Sequence, residues 1–194
     1  MKSFFLLFFI ILLNSHSQIK AEDIRDFEIE GITIGDSLLN YYDKIYIDDL
    51  NKTFYPASDK FYQIEIRTKK NDYDSLSFSL KKNDNNYIIY EFGMTKFFDN
   101  NLKACKKFMN SKITEIKSIT ENLKKNEYEF RYPIDDKKSI AYITDFILEK
   151  DSSIRAYCVN WSEVSEKERN WEDNFSLTLS SSEYASWLNN KAYN

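Results

Sequence analysis

Apolar and polar positions alternate in two periods along this chain. Leu102, Cys105, Met109, Ile113, Ile116, Ile119 and Leu123 recur three or four residues apart. That spacing predicts one long amphipathic helix over 101–124, capped by Asp99 or Asn100, with Cys105 on its buried face. Elsewhere the period is two, which predicts strands. In 61–67, Tyr62, Ile64 and Ile66 oppose Phe61, Gln63, Glu65 and Arg67. In 73–80, Leu76, Phe78 and Leu80 alternate with Ser75, Ser77 and Ser79. The polar run 81–86 joins this strand to the next, 87–92, as a hairpin. Segments 139–148, 153–161 and 175–180 alternate in the same way, and 27–32 reads as a further short strand.

Three shorter helices complete the pattern. Asp36 is placed to cap one carrying Leu38, Leu39 and Tyr42. Ser165 with Glu168, and Ser180 with Glu183, have capping-box spacing. The second box opens a C-terminal helix with Tyr184, Trp187 and Leu188 on one side. The segment 52–58, with Pro56, reads as loop.

The predicted order is β-α-βββ-α-βββ-α. It describes an α+β fold: an antiparallel sheet of about six strands with helices packed mainly on one face. The serine-rich strand faces suit a sheet whose other side is wet. No Pro/Gly/Ser linker separates the two α-βββ blocks, so 22–194 is expected to be one domain.

The strand 153–161 puts Ile154, Ala156 and Cys158 on one face and Arg155, Tyr157, Val159 and Trp161 on the other. The small apolar face can receive the long helix, which would bring Cys105 to Cys158. Arg155, Tyr157 and Trp161 then face outward. A Tyr/Trp/Arg patch has the composition of a binding hot spot. The competing expectation is that a loop or the C-terminal helix covers it.

Residues 1–21 have the layout of a secretory signal peptide: Lys2, an apolar run over Phe4–Leu13, and small Ala21 at the cut. A cut after Ser17 is the alternative. The run of 10 residues is too short to span a bilayer. Cleavage after Ala21 removes Lys2, Lys20 and His16. It leaves 25 basic against 31 acidic residues, a net charge of −6. That balance argues against nucleic acid or anionic lipid as partners. Export to an oxidising compartment also suits a disulfide between the only two cysteines.

Loss of His16 leaves no histidine, so triad chemistry and His-containing metal sites are not expected. No phosphate loop or dinucleotide fingerprint is present, and three glycines could hardly build one. Ser79 and Lys82 match S-x-x-K at a strand end, where that motif has no catalytic context. Asp48/Asp49, Asp72/Asp74, Asp135/Asp136 and Glu172/Asp173 read as solvated loop charges. No cofactor or metal is expected.

The segments Glu30–Tyr42, Phe54-Tyr55-Pro56, Tyr73-Asp74-Ser75, Cys105–Met109 and Tyr157–Ser162 resemble small, signal-bearing, uncharacterised proteins of SAR11-type marine alphaproteobacteria. The resemblance spans nearly the whole mature chain. It implies a periplasmic location, and it implies the Cys105–Cys158 pairing from the same helix-and-strand context. It carries no activity and no catalytic residue. Gly35–Leu38 spells the GDSL esterase motif, but Ser37 has no histidine to pair with.

Together these features lead us to expect a periplasmic, non-enzymatic binding protein without stable membrane insertion after signal cleavage. A protein or peptide of the envelope is its expected partner, through Arg155, Tyr157 and Trp161. A histidine-independent carboxylate hydrolase and a structural envelope component are the alternatives. The oligomeric state stays open, because an exposed sheet edge could pair two copies.

Overall fold

The computed structural model describes residues 23–68, 72–120, 123–134 and 137–194. The proposed signal segment, His16 and the Asp135/Asp136 pair lie outside the described residues.

The fold is α+β, built on one antiparallel sheet of eight strands. In chain order they are β1 (Thr53–Phe54), β2 (Phe61–Arg67), β3 (Ser75–Lys81), β4 (Ile89–Phe97), β5 (Lys124–Arg131), β6 (Ile140–Ile147), β7 (Ser153–Asn160) and β8 (Asn174–Ser180). The helices are α1 (Lys44–Asp49), α2 (Leu102–Ile119), α3 (Glu163–Arg169) and α4 (Ser182–Asn190). Across the sheet the strands run β1-β2-β3-β4-β8-β7-β6-β5. Two four-strand meanders therefore meet at β4 and β8, and each meander comes after a helix.

The first face of the sheet carries the main core. Ile64, Phe78, Phe92, Leu177, Leu179, Ala156 and Cys158 project from it. They pack with Leu38 and Ile47 and with the buried face of α2, namely Cys105, Met109, Ile113 and Ile116. Burial of this apolar surface is the main term holding the layers together. The disulfide Cys105–Cys158 ties α2 to β7, with the Cα atoms 6.0 Å apart.

Several sequence expectations need correction. The sheet has eight strands where about six are expected. β5 escapes a periodicity reading because all eight of its residues are exposed, so burial imposes no alternation on its sequence. β1 is a two-residue edge strand inside the expected loop. Segment 27–32 forms only an isolated bridge between Ile29 and Ile32, with Gly31 at φ +77°. Ser37, rather than Asp36, is the capping residue, and it opens a 3₁₀ turn over Leu38–Asn40 that precedes α1. Helix α2 stops at Ile119, short of the expected 124, with the Thr120 N–H donating to the Lys117 carbonyl, and Lys124 already pairs with Ile147 in β5. Ser162 and Ser181 are the caps of α3 and α4, accepting from the backbone N–H groups of Ser165 and Tyr184.

The helices are also not confined to one face. Helix α4 packs on the second face, where Tyr184 and Trp187 close over Phe61 with Tyr55, Tyr90 and Leu188 around them. A bulge makes this docking work. The β3–β4 register shifts between Ser79 and Leu80, so Ser79 pairs with Glu91 and Leu80 with Ile89. Tyr90 is the extra residue, which lets both Tyr90 and Glu91 serve the α4 side.

Candidate functional site: the groove on the second face of the sheet

Helix α4 covers only one end of the second face. The remainder is a groove of about 390 Å³. Its floor is made of short polar side chains from successive strands: Ser75 and Ser77 on β3, Thr95 on β4, Ser176 and Asn174 on β8. The alternation that buries Leu76 and Phe78 on the first face forces these hydroxyls onto the second. Gly93 lies beside them, paired with Ser77 and Thr178. A Cβ there would meet Ser77 Oγ at 2.5 Å and Thr178 Cγ2 at 3.2 Å. Thr95 and Ser176 share a hydroxyl–hydroxyl hydrogen bond of 3.0 Å, and Ser176 donates to Asn174 Oδ1 at 3.3 Å.

Aromatic rings form one wall. Tyr132 and Trp161 have centroids 4.8 Å apart, and Trp161 and Trp171 4.4 Å. Trp171 is 36% exposed, with the Arg169 guanidinium 5.0 Å from its ring. The Trp161 backbone N–H donates to Asp173 Oδ1 at 2.7 Å. Asp173 is buried, which raises its pKa. This contact anchors the end of β7 to the segment before β8, and so sets Trp161 against Trp171. Tyr157 and Val159 lie between the wall and the floor. Burial also raises the Tyr157 phenol. At the opposite side Arg67 bridges Glu65 at 3.3 Å, with its guanidinium carbon 5.0 Å from the centre of the Phe97 ring.

The three residues singled out from sequence thus separate. Tyr157 and Trp161 line the groove. Arg155 shares their strand face but lines a second pocket of about 380 Å³ beneath α4. Its Nε and Nη2 donate to Asp145 Oδ1 and Oδ2 at 2.7 and 3.0 Å. Tyr128 donates to Asp145 Oδ2 at 3.0 Å. The pair raises the Arg155 pKa, first through the hydrogen bonds to Asp145. The competing expectation, a C-terminal helix lying over the patch, is met only in part: α4 lies against the Arg155 end and leaves Tyr157 and Trp161 to the groove. Tyr132 and Trp171 escape sequence reasoning because both stand outside the strands, where periodicity is silent.

The second pocket holds one unusual carboxyl. Glu91 accepts from Ser180 Oγ at 2.8 Å and Ser79 Oγ at 3.3 Å, with Tyr184 close by. Tyr184 is in turn hydrogen-bonded to Tyr55. Desolvation raises the Glu91 pKa despite these donors. Asp145 and Asp151 line the same pocket.

The other acidic pairs are dispersed. Asp48 lies on α1, paired with Lys44 and accepting from Tyr87 at 2.6 Å. Asp74 accepts from the Phe97 backbone N–H at 2.8 Å. Among the described residues no group of three His, Cys, Asp or Glu side chains is placed to hold a metal ion. No described helix is long and apolar enough to cross a membrane. Comparison with protein-family models, with curated proteins and with solved structures gave no match.

Proposed function

We propose that this is an extracytoplasmic, periplasmic binding protein without catalytic activity, and that its ligand seats in the groove on the second face of the sheet. One observation carries the reading: closely packed, partly exposed rings of Tyr132, Trp161 and Trp171, tilted against one another beside a floor of short polar side chains. Large rings held in place by their neighbours offer contact area at little entropic cost. The volume falls in the range of ligand sites, about 300–1,000 Å³. Location outside the cytoplasm rests on the signal-like N-terminus and on the disulfide between α2 and β7. The test is a thermal-shift screen of oxidised protein against fractionated envelope extract. A fraction should raise the Tm of the wild type and leave that of Tyr157→Ala/Trp161→Ala unchanged. If no fraction shifts the wild type, the reading fails.

The pocket beneath α4 gives a second reading, a histidine-independent carboxylate hydrolase. Its support is Glu91, a carboxyl with raised pKa in a pocket shared with Asp145 and Asp151. Against it, both Asp145 oxygens are already engaged by Arg155 and Tyr128. A hydrolytic activity abolished by Glu91→Gln would establish this reading.

A further inference from the structure

We infer that the groove takes a short stretch of a neutral pyranose oligosaccharide, an assignment that rests on the binding reading above and gives it a ligand class. Four features of the groove point to sugar rings. The wall is aromatic, and an aromatic face carries negative potential that attracts the C–H hydrogens of a pyranose ring. The floor is hydroxyl-rich: Ser75 and Ser77 can each donate and accept, and Thr95 and Ser176, whose protons serve Ser176 and Asn174, can accept, which matches a ligand studded with hydroxyls. A purely apolar ligand would strip water from these groups without replacing its hydrogen bonds. Charge is nearly balanced, since Arg67 pairs with Glu65 and, among the described residues, Glu172 is the only other acid lining the groove. That does not favour a strongly charged ligand.

The fourth feature is what the groove does not offer. β3, β4, β8 and β7 are each paired on both sides, so their backbone N–H and C=O groups are spent within the sheet. An extended peptide is held chiefly by such main-chain bonds at a free strand edge. The groove lies across the sheet face and meets an edge only at its Glu65–Arg67 rim, where β2 runs past its pairing with β1; over the floor, recognition falls to side chains. The short side chains of Ser75, Ser77, Thr95 and Ser176 keep the floor low enough for a ring to lie against the sheet.

The experiment uses the oxidised protein on an array of neutral hexasaccharides, with glucose, N-acetylglucosamine, galactose and mannose units in α and β linkage. Any hit is then titrated by tryptophan fluorescence. We expect saturable binding that weakens by roughly tenfold or more in Trp171→Ala. Ser186→Ala, in the pocket beneath α4, should leave the affinity unchanged. Trp171 is partly exposed, so the folded state of its variant can be checked by circular dichroism. Random dodecapeptides displayed on phage form the parallel arm. Peptide ligands lost in Trp171→Ala, with no saccharide bound, overturn the sugar assignment and leave the binding reading standing. Saccharide affinity unchanged in Trp171→Ala overturns the groove as the site. No ligand in either arm overturns both.

Discussion

Cys105, one turn into α2, and Cys158, near the end of β7, are covalently joined and fully buried. The bond closes a loop across 53 positions of sequence. The chain-entropy model assigns such a loop about 4 kcal/mol of stabilisation through the unfolded state. Cys105→Ala/Cys158→Ala is expected to lose stability of that order in urea unfolding, with a clearly lower midpoint. An unchanged midpoint would show that the disulfide contributes nothing beyond packing.

Arg155 and Asp145 form a bidentate ion pair between β7 and β6 on the second face of the sheet. Asp145 is buried and Arg155 about half exposed. Arg155→Met leaves a buried carboxylate without its countercharge. For a wholly buried pair that costs about 3–5 kcal/mol, and exposure of the guanidinium lowers the expectation to about 2–3 kcal/mol. Adding Asp145→Asn should recover much of the loss. A double-mutant cycle with no coupling would contradict this.

Glu91 makes stability depend on pH. Its folded-state pKa is raised above the ordinary 4.5, chiefly by desolvation. The folded protein therefore binds this proton more tightly than the unfolded chain. Its contribution is present at low pH and is lost as pH rises through 4.5 and on through the folded-state value. Glu91→Gln removes the titration. Its Tm relative to wild type should rise between acid and neutral pH, measured side by side. A constant difference across that range would contradict the assignment.

Gly93 is closely packed between Ser77 and Thr178 on the second face of the sheet. Gly93→Ala forces its new methyl against Ser77 Oγ and Thr178 Cγ2, an overpacking expected to cost about 1–3 kcal/mol. Gly93→Ala/Ser77→Gly should regain part of it, because the nearest atom is then gone. Thermal unfolding of the three proteins measures this.

Some of this architecture can be read in the sequence and some cannot, for physical reasons. The long helix and the strands 61–67, 75–81 and 153–160 are legible because each buries one face against the core, which imposes a period. The disulfide emerges where two such periods meet. β5 has no buried residue, so burial requires no apolar position in Lys124–Arg131, and its two aromatics, Tyr128 and Phe130, are themselves exposed. The end of α2 at Ile119 is not legible, because Leu123 continues the helical spacing beyond it. Tyr157 and Trp161 can be placed on an outward face from alternation alone. Which of them α4 would cover cannot, because that depends on the bulge at Tyr90 and on where Phe61 lies. Arg155 reads as a member of the patch only because its partner, Asp145, lies on another strand.

The groove carries its own fluorescent reporter. Of the three tryptophans, Trp161 and Trp171 line the groove, while Trp187 is buried on the inner side of α4 with its indole N–H donating to Ser58 Oγ at 3.0 Å. Tryptophan emission should therefore be recorded while a ligand that raises the Tm is titrated in. A ligand seated in the groove should give a saturable blue shift or quench in the wild type that disappears in Trp161→Ala/Trp171→Ala together with the Tm gain. Binding that leaves the emission of the wild type unchanged would contradict the groove as the site and move it away from this face of the sheet.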